Sequence, residues 1–200
     1  MSGWTLTGKP ALLVIHLQNA ICKAPSPLEV LGHPRATEED EVIPHVAGLL
    51  AAFRNRDLPV VFTAAVHPDA PEVPAYGGFW QAVRRLNVNQ AGSRDVEIVD
   101  ELAPLDGEPV IHNWPFDVFR RTDLERDLRD QGVETIVLVG VATGMAVIIA
   151  AYQAADRFFN LIVPSDCVTD GNRRLHEAIM GGIMPVIGLV STSDDVIAHL

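Results

Sequence analysis

Residues 135–146 read Thr135-Ile-Val-Leu-Val139-Gly-Val-Ala-Thr143-Gly-Met-Ala146, an apolar run that ends in a turn of small residues. A continuous apolar run is typical of a parallel β-strand that is covered on both faces, since such a strand buries nearly every side chain. Residues 145–155 are apolar on almost every side of a helix, which indicates a helix buried between the sheet and other elements or a second subunit. Strand, turn and buried helix together favour a parallel α/β sheet.

The same alternation of strand and helix extends through the rest of the chain. Between the first two apolar runs, residues recur at helical spacing and predict a crossover helix: Val42, Val46, Leu49, Leu50 and Phe53. We predict an α/β protein with a three-layer, doubly wound, mostly parallel six-stranded sheet, which binds its ligands at the carboxyl ends of the strands. No repeat or linker interrupts the pattern, so residues 1–200 are predicted to form a single domain. The six predicted strands are residues 11–15, 59–63, 109–111, 135–139, 161–163 and 186–190.

Local signals mark several helix ends. Thr122 and Glu125 have the spacing of a capping box and Gly132 suits a left-handed C-terminal residue, so a helix is predicted over residues 122–131. Thr143 is predicted to cap the helix that follows it, and the last helix is expected after Ser191 and Thr192. Residues 22–38 and 67–105 are predicted to be mostly irregular, where lids and binding loops would lie.

Composition limits the possible partners. The chain has 15 Lys and Arg against 26 Asp and Glu, a net charge of −11, which disfavours nucleic acid and anionic membranes as partners. No apolar run approaches the ~20 residues that span a bilayer. Two cysteines and no evident leader predict neither disulfides nor secretion, so a cytoplasmic protein is expected. A small molecule or a protein is the expected partner, and we predict a homo-oligomer, a dimer or a tetramer, with no cofactor.

Several segments, in order along the chain, carry a resemblance to a known family. Ala11-Leu-Leu-Val-Ile-His16-Leu-Gln18-Asn19 resembles a first strand that ends in Asp-x-Gln-Asn, and residues 96–113 resemble the stretch that leads into a third strand and a catalytic Lys. Asp117-Val118-Phe119 matches a Ser-Ala-Phe position, and residues 138–146 resemble a Gly-Val-x-Thr-x-x-Cys nucleophile turn. The chain thereby resembles the isochorismatase-like family of cysteine hydrolases, which includes nicotinamidases and N-carbamoylsarcosine amidases.

By this resemblance, the family's catalytic Asp, Lys and Cys are replaced by His16, Asn113 and Ala146. Ala146 has no heteroatom, so cysteine-based acyl transfer at this position is chemically excluded. Asn113 can orient a polar group but cannot offset a negative charge. His16 can exchange a proton near neutral pH and is the candidate catalytic group, with Asn113 as its companion.

The resemblance also implies a binding surface beside these residues. It implies an oxyanion pocket at the backbone amides of Ala142 and Ala146, next to a cis peptide between Val141 and Ala142, where a helix start favours an anionic or carbonyl oxygen. The residues expected to contact substrate are Gln18, Trp114, Phe116 and Thr143.

Each candidate also has a simpler structural interpretation. His16 and Asn113 can be satisfied polar groups, and Ala146 can pack the helix start. Cys22 lies in a Pro-rich loop with no obvious base, and Cys167 follows a strand, so neither is assigned as a nucleophile. The Asp-x-His spacing of metal-binding family members is missing, so no metal is predicted from His67, Asp69 and His112. The aromatic residues Trp80, Trp114 and Phe116 can equally belong to a core or to a subunit interface.

Three functions remain open from the sequence. The first is an enzyme that uses non-thiol chemistry, in which His16 transfers a proton during hydrolysis, hydration, elimination or cyclisation of a small metabolite. The second is a pseudoenzyme that binds a ligand without turnover, and the third is a structural subunit of an oligomer. The enzyme is favoured because the replacements leave a proton-transfer group and an amide facing the expected oxyanion pocket.

Overall fold

The computed structural model describes residues 3–67, 78–114 and 116–200, and within these ranges a parallel sheet of seven strands forms its centre. The strands run in the order β3-β2-β1-β4-β5-β7, and the short strand β6 pairs with β4 beyond the end of β5. They are β1 (Lys9–Ile15), β2 (Val60–Ala65), β3 (Val110–Asn113), β4 (Val133–Val141), β5 (Asn160–Pro164), β6 (Val168–Thr169) and β7 (Leu189–Ser191).

Helices cover both faces of this sheet, which gives the three layers that the sequence predicts. Helices α3 and α9 pack on one face, and α5, α6, α7 and α8 pack on the other. The helices of the described ranges are α1 (Asn19–Cys22), α2 (His33–Glu39), α3 (Val42–Arg54), α4 (Gly78–Leu86), α5 (Leu124–Asp130), α6 (Ile148–Asp156), α7 (Arg173–Gly182), α8 (Met184–Ile187) and α9 (Ser193–His199).

The two apolar cores follow from the period of the strands. Successive side chains of a strand point to opposite faces, so Leu12 and Val14 enter one core while Leu13 and Ile15 enter the other. All four side chains are at most 1% exposed. The continuous apolar runs therefore serve two cores at once, as a parallel sheet covered on both faces requires.

The predicted fold class is confirmed, although the strand count differs by one. The extra strand is β6, whose two residues are too few to produce a pattern in the sequence. The strand predicted at residues 186–190 is wrong in its first half, because Val186 lies in α8, where Pro185 occupies the first turn. Gly188 separates α8 from β7 in extended backbone, and a Cβ atom there would lie 2.9 Å from the Leu161 carbonyl oxygen.

Helix ends were predicted with mixed success. The crossover helix is confirmed as α3, Gly132 has the expected positive φ of 74°, and the Thr192 hydroxyl accepts a hydrogen bond from the Asp195 N–H at the start of α9. The capping box is wrong: the Thr122 hydroxyl donates to the Val118 carbonyl, and α5 begins at Leu124. The region 22–38 is also less irregular than predicted, because α2 begins within it.

Candidate active site

A narrow pocket lies at the carboxyl ends of β1, β2, β3 and β4, the edge of the sheet at which a ligand is expected. It is small, with a cavity volume of about 50 Å³. His16, Asn113, Ala142 and Ala146 all line it, so the structure brings together the residues that the resemblance assigned to catalysis and to the oxyanion pocket. The other lining residues are Ile21, Leu28, Leu31, His33, Ala65, Phe79, Asn89, Trp114, Phe116, Val141 and Met145.

His16 and Asn113 are directly hydrogen-bonded, with 3.0 Å between His16 Nε2 and Asn113 Oδ1. Both side chains are buried. Because β2 lies between β1 and β3, the two side chains meet across the end of β2, where Ala65 is small enough to leave room. With the amide oxygen facing Nε2, the imidazole carries its proton on Nε2, which leaves the lone pair on Nδ1.

Burial sets the charge state of His16. Loss of hydration lowers its pKa to about 4, and the hydrogen bond to Asn113 offsets only part of this effect. The imidazole is therefore neutral at neutral pH and can accept a proton but holds no charge of its own. His16 also has a φ of 51°, which ends β1 and is uncommon outside glycine.

The turn after β4 supplies the other wall of the pocket. Val141 and Ala142 are joined by a cis peptide bond, and the Ala142 carbonyl accepts hydrogen bonds from the Met145 and Val147 amides. The first helical turn, Thr143–Val147, is a π-helical turn that leads into α6. Ala142 and Ala146 both line the pocket.

Thr143 is not the helix cap that the sequence predicts, and its side chain is turned away from the pocket lining. Its hydroxyl lies 3.1 Å from the Thr169 carbonyl oxygen and 3.0 Å from His176 Nδ1. The Gly144 amide at the same helix start donates to the Asp170 carboxylate over 2.7 Å. The Asp170 carboxylate therefore already binds the positive end of this helix at Gly144 and competes there with any anionic ligand. Asp170 is 26 residues away, so the local sequence does not reveal this contact.

Gln18 is fully buried and does not line the pocket. Its amide oxygen accepts from the Ala65 N–H over 2.7 Å, and its amide nitrogen lies 3.1 Å from the Ala65 and Asp95 carbonyl oxygens. The same nitrogen lies 3.1 Å from Asn89 Oδ1. The Gln18 side chain thus hydrogen-bonds to the end of β2 and to Asn89. Asn89 lines the pocket, so Gln18 contributes to the site by positioning a lining residue and does not itself contact the pocket.

Aromatic rings form the apolar side of the pocket. Trp114 and Phe116 both line it; the Trp114 ring lies 5.3 Å from the His67 ring and the Phe116 ring lies 5.2 Å from that of Phe79. Phe79 belongs to α4 and had no recognisable signal in the sequence. The Trp80 side chain lies outside the described part of the structure, as does Asp69.

The two cysteines are buried and unreactive in character. Burial raises the pKa of the Cys22 thiol to about 12, and the pKa of the Cys167 thiol is raised further, first by burial and then by Asp166. Neither side chain lines the pocket. A thiolate is therefore unavailable at neutral pH, in keeping with the interpretation that neither residue replaces the missing nucleophile.

No group of three or more His, Cys, Asp or Glu side chains is placed to hold a metal ion in the described ranges. No helix among these residues combines the length and apolar character needed to cross a bilayer.

A buried pocket with a few convergent polar groups at the carboxyl edge of a doubly wound sheet is the arrangement of an α/β protein that binds a small molecule. A family model described as an isochorismatase domain matches residues 10–195. The chain therefore belongs to the isochorismatase family.

Individual relatives agree with this assignment. The chain is 32% identical over 195 residues to a maleamate amidohydrolase from Pseudomonas putida, a match that covers 96% of this chain and 87% of that one. It is 27% identical over 195 residues to an N-carbamoylsarcosine amidase from Arthrobacter, covering 96% and 71%.

Solved structures share the fold. A cysteine hydrolase from Pseudomonas syringae pv. phaseolicola superposes with a TM-score of 0.83 at 19% identity, covering 96% of this chain and 92% of the other. A nicotinamidase/pyrazinamidase from Bacillus subtilis gives a TM-score of 0.74 at 22% identity, covering 92% and 99%.

Several lining residues were not found by sequence reasoning. His33, Ala65 and Asn89 come from α2, from the end of β2 and from the segment after α4. None belongs to a motif, and each reaches the pocket only through the packing of distant segments.

Proposed function

We propose that this protein acts on a small, electrically neutral metabolite by non-thiol chemistry, with His16 as the proton-transfer group and Asn113 as its orienting partner. The observation that carries the proposal is the hydrogen bond between His16 Nε2 and Asn113 Oδ1 inside a pocket that also contains Ala142 and Ala146. Residues 1–200 act in this proposal as a single domain.

The hydrogen bond supports a defined proton transfer. Asn113 holds the proton on Nε2, so Nδ1 is the atom that accepts a proton from water or from the substrate. Asn113 then stabilises the imidazolium, because its amide oxygen remains bonded to the Nε2–H. The backbone around Ala142 and Ala146 is the proposed seat of the oxygen on which negative charge develops.

The charge of the pocket supports a neutral substrate. Among the described lining residues there is no Asp, Glu, Lys or Arg, and burial lowers the pKa of both His16 and His33. A permanently charged substrate would lose its hydration without gaining a counter-ion. Maleamate, named for the Pseudomonas putida relative, carries a carboxylate that no described side chain of this lining can pair, so a different substrate is proposed here.

The reaction is an acid- and base-assisted hydrolysis, hydration, elimination or cyclisation that passes through no covalent enzyme intermediate. Ala146 offers no nucleophile and the two thiols stay protonated. The proposed chemistry therefore depends on proton transfer by His16. The relatives named as amidohydrolases and amidases support a substrate of metabolite size with a carbonyl or similar polar group.

The test is turnover by the wild type and two histidine variants, with neutral metabolite fractions as substrates and mass spectrometry as the readout. We expect His16→Gln, which keeps a hydrogen-bonding amide but no titratable group, to lose about 100-fold or more in rate. His112→Gln is the control, because His112 is exposed on β3, and it should react at the wild-type rate. Wild-type turnover by His16→Gln would refute the proposal, and ligand binding without any product would favour the pseudoenzyme instead.

A further inference from the structure

A second imidazole, that of His33, also lines the pocket. His33 is the first residue of α2, is 8% exposed and lines the same pocket as His16. It belongs to no motif that the sequence or the family resemblance assigns, and the chemistry proposed for His16 and Asn113 does not use it.

The two ring nitrogens of His33 have different surroundings. Nδ1 accepts a hydrogen bond from the Gly171 N–H over 3.1 Å, so this nitrogen must carry a lone pair. Burial keeps the ring neutral by lowering its pKa, although the nearby Asp170 carboxylate acts in the opposite direction. A neutral ring with a lone pair on Nδ1 carries its proton on Nε2, and within the described ranges Nε2 makes no hydrogen bond.

Close packing of two backbone segments fixes this orientation. A Cβ atom on Gly171 would lie 1.8 Å from the Leu31 carbonyl oxygen, so the Leu31–Gly32 backbone approaches Gly171 more closely than any other residue type allows. That approach brings the Gly171 N–H to His33. Asp170 is held in turn by the Gly144 and Asn172 amides, which accounts for both of its carboxylate oxygens.

We propose that His33 is a substrate-binding residue whose Nε2–H donates a hydrogen bond to a carbonyl or hydroxyl oxygen of a neutral ligand. The ligand class that fits is an uncharged molecule with a flat apolar body, because Trp114, Phe116 and Phe79 line the same space. The inference deepens the proposed function, since it names a recognition group of the same pocket, but it concerns binding and does not require turnover.

Benzamide is a suitable probe, because it is neutral and combines an aromatic ring with a carbonyl oxygen. Its dissociation constant is measured by calorimetry or NMR titration for the wild type, His33→Asn and His33→Gln. The Asn amide takes the place of Nδ1 and keeps the acceptor for Gly171, whereas the Gln amide reaches the place of Nε2 and keeps a donor for the ligand. We expect His33→Asn to bind about tenfold more weakly and His33→Gln to stay within about threefold of the wild type.

A purely structural role for His33 predicts the reverse order, because only the Asn variant would preserve the bond to Gly171. The reverse order, equal affinities for all three proteins or no benzamide binding by the wild type would each overturn the inference. Nitrogen NMR of the wild-type ring adds a readout that needs no variant: the Nε2–H tautomer is expected at neutral pH, and an Nδ1–H tautomer or an imidazolium would contradict it.

The outcomes separate the two proposals. Benzamide binding with the expected variant order but no turnover of any metabolite leaves the His33 inference standing while the proposed function fails. If turnover depends on His16 but is unchanged in both His33 variants, and all three proteins bind benzamide equally, the proposed function stands and the His33 inference fails.

Discussion

His16 Nε2 lies 3.0 Å from Asn113 Oδ1, although His16 follows β1 and Asn113 ends β3, two strands that are not neighbours in the sheet. Their contact exists because β2 ends at Ala65, whose side chain is too short to separate them. This single hydrogen bond joins two of the three positions at which the family resemblance places catalytic residues, and it does so in a buried setting that leaves the imidazole neutral.

Burial of His16 makes stability depend on pH. The pKa of His16 is about 4 in the folded protein against an ordinary value of 6.5, so between these limits the unfolded chain binds a proton that the folded protein does not. The free energy of unfolding should therefore fall as pH drops below 6.5, by up to about 3 kcal/mol at and below pH 4 from this residue. Urea unfolding at several pH values measures it.

The matched control is His16→Gln, which removes the titrating group. Its stability should change less between pH 7 and pH 4 than that of the wild type. His33 and His176, whose pKa values are also lowered by burial, contribute a change of the same sign in both proteins. Parallel curves for the two proteins would show that His16 is not buried as a neutral group.

Replacement of Gln18 by Glu should destabilise the protein strongly. The carboxylate would place negative charge beside the Ala65 and Asp95 carbonyl oxygens, where the amide nitrogen of Gln18 now lies, in a fully buried position that removes its hydration by solvent. We expect a loss of about 3 kcal/mol or more at neutral pH, measured by chemical unfolding. Part of the loss should return at acidic pH, where a protonated Glu regains a donor, and a stability equal to the wild type would contradict the buried position of this side chain.

Gly171→Ala should disturb the pocket from a distance. The added Cβ would lie 1.8 Å from the Leu31 carbonyl oxygen, so the backbone beside His33 must move. We expect a loss of at least about 2 kcal/mol in the free energy of unfolding and weaker benzamide binding. Gly181→Ala is the control: it lies in α7 with open space around it, and the gain in helix propensity should stabilise the protein by up to about 1 kcal/mol. Equal effects of the two substitutions would contradict the close approach.

Both thiols should resist alkylation in the native protein. The pKa of Cys22 is about 12, and Cys167 is buried with a raised pKa, so iodoacetamide at neutral pH should modify neither. Mass spectrometry should count no adduct on the folded protein and two on the unfolded chain. Fast native labelling of either residue would reopen the question of a thiol nucleophile, as would loss of turnover on labelling.

Much of the fold is predictable from the sequence, because strands and helices depend on patterns within a few neighbouring residues. The apolar runs in β1 and β4 and the helical spacing in α3 are such patterns, and each element lies where its pattern predicts. The short β6 and the helix α8 are different, since their two and four residues carry too little periodicity to outweigh tertiary contacts.

For the site, the family resemblance selected His16, Asn113, Ala142 and Ala146, and these residues line one pocket because they follow or end strands whose carboxyl ends meet at one edge of a parallel sheet. The sequence alone also excluded acyl transfer by a nucleophile at position 146, because the alanine side chain has no heteroatom in any structure. Only the tertiary structure decided that His16 is neutral, that Gln18 and Thr143 point away from the pocket, and that His33 joins it. These properties depend on burial and on contacts such as that of His33 with Gly171, 138 residues away, and no local pattern records a contact over such a separation.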